Sequence, residues 1–187
     1  MRTFIAVVPE KQIIKKLDDV QKQLRLEMAG HRKDTSWPRP EQAHITLAFL
    51  GDVPEEKLES VCGTVENAVR GLRSFMINVQ GTGFFGKNAH TFFATVTEGA
   101  GELGKLRWKV SEPLAKKEFF APSKKFEPHI TLLRLKSAKP GRLVKNINYS
   151  MSRQPFGKTR VQSVCVFTSE LTKTGPEYTC IAEYFLD

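Results

Sequence analysis

Residues 2–8, RTFIAVV, run apolar and β-branched up to Pro9, as a first strand does. Behind them Ile13, Leu17, Val20, Leu24 and Met28 recur at helical spacing, and Gly30 is placed to stop that helix. HRKDTSWPRPEQ then breaks the pattern with two prolines and reads as a loop, after which His44 opens another strand. GDVPEEKLES is a turn into a second helix, with Pro54 suited to the first turn and Glu55 and Glu56 near the positive end of the helix dipole. Leu58, Val61, Cys62, Val65, Ala68, Val69 and Leu72 form one unbroken apolar face, which requires a flat apolar partner such as a sheet. Segments 74–82 and 91–97 read as strands joined through GTGFFGKN. A third helical region covers about 101–120, where Pro113 is expected to kink or restart the helix with Ser111 as a cap. A strand from His129 follows, then a basic loop containing glycine and proline. VQSVCVFTS and EYTCIAEYF close the chain as two strands about a turn at Gly175 and Pro176.

That order of elements is α+β. It also contains a repeat: HITL occurs at 44–47 and again at 129–132, in a chain with four histidines. A period of that length is too long for a solenoid and reads as two related lobes. At 187 residues the chain suits one compact unit, and its 40% apolar and 10% aromatic content exclude a disordered class. MRTFIAVVPEKQ is too short an apolar run for a signal peptide or a membrane span, so a cytoplasmic protein with no membrane partner is expected. Cys62, Cys165 and Cys180 are odd in number, lack CxxC spacing and fall on apolar segments, which predicts buried reduced thiols. The net charge of +9 is scattered, with concentrations at 30–33, 115–117 and 123–125; it suits a polyanionic partner, and it equally suits a solubilising surface.

Side chains alternate between the faces of a strand, so His44 and Thr46 share one face while Ile45 and Leu47 take the other, and the same holds for His129 and Thr131. Two lobes facing one another would gather two imidazoles and two hydroxyls. With a pKa of roughly 6.5 an imidazole holds or releases a proton near neutrality, and a pair supplies a base and an acid together. Threonine hydroxyls suit the non-bridging oxygens of a phosphate held between the rings. A single HxT in a strand is no more than a satisfied histidine beside a strand-forming threonine; two identical copies point to phosphodiester chemistry. A zinc site has no obvious third ligand and no HExxH helix. His31 and His90 read as exposed and incidental.

The two HITL segments, the start RTFIAV, the run WPRPEQAHITLAFLGDVPEEKL and the pairing of FEPHITLLRL with VFTSEL and GPEYTCIAEYFL resemble the 2H phosphoesterases, specifically the RNA 2',3'-cyclic phosphodiesterases also called 2'-5' RNA ligases. The resemblance spans nearly the whole chain. It implies a single bilobal α+β domain over 1–187, with two pseudo-symmetric lobes of antiparallel sheet, helices on the outer faces and a central cleft carrying both HxTx motifs. It implies metal-independent hydrolysis of a terminal 2',3'-cyclic phosphate to a 2'-phosphate, with no cofactor. Carried over, His44 becomes the proton donor and His129 the proton acceptor, roles that microscopic reversal exchanges, and Thr46 and Thr131 bind phosphate oxygens. Arg134 stands where the family has a phosphate-binding arginine; strict alternation sends it to the opposite face, so either a bulge re-aims it or it braces the sheet edge. Phe4 and Trp37 suit base stacking, and Phe4 equally suits the core. Lys124 and Lys125 are placed to steer an RNA backbone. The expected partner is RNA with a 2',3'-cyclic phosphate or 2'-5' linked end, acted on by a monomer. The alternatives are a phosphodiesterase for 2'-5' oligonucleotides or small cyclic nucleotides, and a non-catalytic module that binds RNA ends. Phe92, Phe93 and Pro113 depart from the family pattern away from the motif residues.

Overall fold

A computed structural model of the chain describes residues 1–119, 125–173 and 175–187. In chain order these form β1 (Arg2–Val7), α1 (Lys11–Glu27), β2 (Thr35–Ser36), β3 (Ile45–Asp52), α2 (Leu58–Val69), β4 (Phe75–Phe85), β5 (Thr91–Val96), α3 (Ala100–Lys116), β6 (His129–Leu135), α4 (Gly141–Ser150), β7 (Pro155–Val161), β8 (Ser163–Thr172) and β9 (Gly175–Phe185). The strands make two antiparallel sheets, ordered β3-β1-β8-β9 and β2-β6-β5-β4-β7. Leaving aside the two-residue β2, the sheets correspond strand for strand: β3 with β6, β1 with β5, β8 with β4, β9 with β7. Each motif strand lies outermost or nearly so, beside the first strand of its own half. The strand beyond that comes from the other half of the chain, so the halves exchange strands.

The helices follow the same exchange. α1, which follows β1, packs against β6 and β7 of the other sheet, while α3, which follows β5, packs against β3 and α2. α2 lies on β8 and β9, as its apolar face requires: Val61, Val65 and Val69 are buried, with Leu58, Cys62, Ala68 and Leu72 packed beside them. One continuous buried cluster joins Ile5, Leu24, Ile45, Val65, Phe92 and Ile130 across both sheets. Phe92 is among the largest fully buried side chains. Phe92→Ala is expected to destabilise the fold by about 3–5 kcal/mol through the cavity it leaves. A urea titration checks this by a lowered midpoint with unchanged slope.

Four sequence expectations are corrected. Helix α1 ends at Glu27, ahead of Gly30, because Met28 caps it and residues 29–34 tighten into 3-10 turns. α3 runs through Pro113 without restarting, and Ser111 is buried within it rather than capping it. Pro113 falls in the last turn, where it forfeits only its own N–H bond, to a carbonyl of the exposed Lys109. The stretch after β6 is not simply a loop, for it contains α4 and β7. The core stripe of α4 is only Val144 and Ile147, and the inward positions Phe156, Thr159 and Val161 of β7 are thrown out of alternation where the register with β4 shifts at Gly157. Finally, all three cysteines are free and Cys165 is buried, but Cys62 is half-buried and Cys180 is exposed on the edge strand β9. Burial, with Cys180 and Glu183 nearby, pushes the Cys165 thiol up to about 12. No described helix is long and apolar enough to cross a membrane.

Candidate active site

Each motif strand carries the same irregularity. In β3, Thr46 pairs with Ala6 but Ala48 with Ile5, leaving Leu47 as an additional residue; in β6, Thr131 pairs with Phe93 but Leu133 with Phe92, leaving Leu132 additional. Such a bulge reverses the alternation beyond it. Leu47 and Ala48 are therefore both buried, as are Leu132 and Leu133, and the next residue in each strand returns to the histidine face. In β3 that residue is Phe49, 51% exposed; in β6 it is Arg134. The bulge thus settles the side on which Arg134 lies, and its Nη1 donates to Thr91 Oγ1 of the neighbouring strand at 3.4 Å.

The two imidazoles are held alike. His44 Nδ1 lies 2.7 Å from the Gln42 carbonyl oxygen, and His129 Nδ1 lies 2.7 Å from the Glu127 carbonyl oxygen. A carbonyl only accepts, so in each ring Nδ1 carries the hydrogen and Nε2 is left as the titrating nitrogen. Aromatic rings fix each imidazole further. Phe4 stands 4.9 Å and Tyr178 5.5 Å from the His44 ring, while Phe85 and Phe93 each stand 4.8 Å from the His129 ring, so Phe93, expected to lie clear of the motif residues, packs directly on one of them. Thr46 and Thr131 are half-buried beside them, and neither hydroxyl has a side-chain hydrogen bond among the described residues.

Burial holds both imidazoles below the ordinary histidine range, partly offset by the hydrogen bonds to Gln42 and Glu127. The charge of Arg134 lowers both further, and His129 adds to the depression of His44. The two motifs therefore lie within electrostatic reach of each other and of Arg134. Burial pushes the Tyr178 phenol up, so its hydroxyl stays a donor at neutral pH. Each imidazole is expected to titrate below about 6.5 in proton NMR, the usual histidine value.

A cleft of about 460 Å³ is lined by Thr46 of one motif and His129 of the other, with Phe49, Phe85, Arg107 and Phe126, while His44 borders a separate pocket of about 80 Å³ with Phe4 and Tyr178. A smaller pocket of about 160 Å³ is lined by Trp37, Arg39, Arg134 and Tyr178. Thr46 and His129 thus share the cleft, and Tyr178, against the His44 ring, joins that imidazole to the pocket of Arg134. Phe4 is 4% exposed and stacks on Phe167, backing His44. Trp37 is half-buried, with the Arg25 guanidinium 4.6 Å from its ring centre. His90 is exposed, and the half-buried His31 pairs with Asp34 at 3.6 Å. Lys125 borders the cleft, whereas Lys124 lies outside the described residues. Among the described residues no group of three or more His, Cys, Asp or Glu could hold a metal ion. Sequence reasoning missed Phe49, Phe85 and Tyr178. Aligning the two motif strands would have revealed Phe49, since it stands five residues after its histidine as Arg134 does; nothing in the sequence announces Tyr178, which arrives from β9.

Fold and motifs together are those of a two-histidine phosphoesterase. The model of the family described as LigT like Phosphoesterase matches residues 7–92 and again 94–178, one HITL segment in each stretch, and the chain belongs to that family. It is 30% identical to the RNA 2',3'-cyclic phosphodiesterase of Aquifex aeolicus over 100% of this chain and 97% of that one, and 31% identical to the enzyme of the same name from Thermotoga maritima over 98% and 94%. Among solved structures, a protein of Thermus thermophilus superposes with a TM-score of 0.78 at 28% identity, covering 100% and 98% of the two chains. LigT of E. coli, solved with 3'-AMP, has the same fold at a TM-score of 0.78 and 19% identity, over 99% and 97%.

Proposed function

We propose that the protein hydrolyses the 2',3'-cyclic phosphate at an RNA end to a 2'-phosphate. The observation that carries this reading is the pair of imidazoles, tethered identically through Nδ1 and near enough for the charge of His129 to depress His44. Two relatives about as long as this chain bear the name of that activity. In the proposed reaction His129 Nε2 takes a proton from water as its oxygen attacks phosphorus. The bond from phosphorus to the 3' oxygen breaks in line, and protonated His44 delivers its Nε2 proton to that oxygen. Thr46, Thr131 and Arg134 grip the non-bridging oxygens as charge builds on them. Phe4 serves the substrate indirectly, as the wall behind His44, while the exposed ring of Phe49 offers the terminal base a stacking face. The lobes therefore match at the phosphorus and differ five residues on, aromatic on one side and cationic on the other, which gives the substrate one orientation.

The acid must be protonated and the base neutral, so kcat/KM follows a bell in pH. Depression of both imidazoles lets the base work at lower pH and removes the acid form earlier as pH rises. The optimum for the free enzyme is therefore expected on the acid side of about pH 6.5. Initial rates at low substrate across the acid and alkaline sides of that value check this; an optimum on the alkaline side would contradict it.

A second reading rests on the pocket at Arg39, Arg134 and Tyr178. On this reading the pocket would receive a strand with a 5'-hydroxyl, and the same barrier crossed with that hydroxyl in place of water would join two strands by a 2'-5' linkage. The deciding experiment incubates the protein with RNA ending in a 2',3'-cyclic phosphate, with and without a metal chelator, and assigns the product by phosphorus NMR. A 2'-phosphate formed equally in both is the expected result. Tight binding with no product would instead identify a module that only holds RNA ends.

A further inference from the structure

Gln21 lies on the buried side of α1, 3% exposed, and its amide spans two segments that shape the site. Nε2 donates to the Leu132 carbonyl at 2.8 Å and to the Pro38 carbonyl at 3.0 Å. Leu132 is the additional residue of the β6 bulge, the step that returns Arg134 to the histidine face. Pro38 lies between β2 and His44, and with Trp37 and Arg39 it lines the pocket that Arg134 and Tyr178 share. β2 pairs with β6 only at Thr35 and Ser36, opposite Leu135 and Arg134. Past Ser36 no described strand lies along that edge of β6, and the bond to the Leu132 carbonyl comes from a side chain of α1.

The orientation of the amide follows from its partners. Two carbonyls can only accept, so the nitrogen must face them, and Oε1 is left buried without a hydrogen-bond partner among the described residues. A leucine here would bury no unpaired atom of its own, but it would strip both carbonyls of their donor. Without that donor, β6 can relax toward a regular pleat, in which the residues beyond the bulge change faces.

We infer that Gln21 is a positioning residue for the arginine of the site: its amide fixes the bulge at Leu132, and the bulge keeps Arg134 on the histidine face, in the pocket it shares with Tyr178. This rests on the reading of Arg134 as a phosphate ligand. The test uses inorganic phosphate as the probe, measured both as binding by calorimetry and as competitive inhibition of turnover. Gln21→Leu and Gln21→Met, the second keeping length and flexibility in case the first does not fold, are compared with Arg134→Ala and with the double variant Gln21→Leu with Arg134→Ala. Residues acting through one another do not add. The phosphate dissociation constant is expected to rise about tenfold in either Gln21 variant, and the double variant to lie within about twofold of Arg134→Ala alone. Substrate KM should rise more than kcat falls. Unchanged phosphate affinity in a folded Gln21 variant would overturn the inference, as would losses that multiply in the double variant. A wild-type protein that binds phosphate through Arg134 yet leaves cyclic-phosphate RNA intact would sink the proposed reaction while these constants still decide the role of Gln21. Absence of phosphate binding to the wild-type protein would overturn the inference, while the product assay on cyclic-phosphate RNA still decides the reaction.

Discussion

His129→Ala is expected to keep the fold and to lose about 10²–10⁴ in turnover, and His44→Gln to do the same, the range that positioned proton transfer contributes. Glutamine is chosen at position 44 because the ring stands between Phe4 and Tyr178, and truncation there would open a void. Either loss breaks one concerted transfer, so the double variant should be barely slower than the worse single one, as for groups that act as a unit. Rapid-quench turnover on a cyclic-phosphate RNA, with thermal melts alongside, reads both quantities. Turnover within about threefold of wild type in either folded single variant would remove that histidine from the chemistry, because even the low end of the range is about a hundredfold.

Arg134→Ala comes second in size. A hydrogen bond to a charged group contributes about 1.5–3 kcal/mol, which corresponds to a fall of roughly 10- to 150-fold in kcat/KM. It carries a second signature, because the arginine charge lowers both imidazoles. Removing it lets both rise toward the ordinary histidine range. The acid then stays protonated to higher pH and the base stays protonated longer as pH rises, so the whole bell moves to the alkaline side. Arg134→Lys keeps the charge and loses the planar fork, and should restore the position of the bell while recovering only part of the rate. A bell that stays in place in Arg134→Ala would show the guanidinium to be out of electrostatic reach of the rings in solution.

What could be read from the sequence divides along physical lines. The face of α2 and the strands around both HITL segments were legible because regular periodicity leaves a regular pattern of buried positions. α4 and β7 were not, because one buries a narrow stripe among basic and amide residues and the other is interrupted by a register shift at Gly157. At the site, the four motif residues and their shared face followed from repetition and alternation. The side taken by Arg134 did not follow, since a bulge is a matter of pairing, and its trace in the sequence is only two consecutive core residues after each threonine: Leu47 with Ala48, and Leu132 with Leu133. The tethers on the imidazoles were equally hidden, because backbone carbonyls accept the hydrogens and carry no residue identity.

The exchange of strands between the two halves has a temporal consequence. β1 and β3 are synthesised early, yet β1 acquires its second neighbour only when Ser163–Thr172 arrives as β8. On a ribosome the first histidine would therefore wait on a half-finished sheet through most of translation, and Tyr178 would join it later still. A nascent chain would hold both HITL segments before it had an assembled catalyst, so activity should switch on as a late, single event of folding.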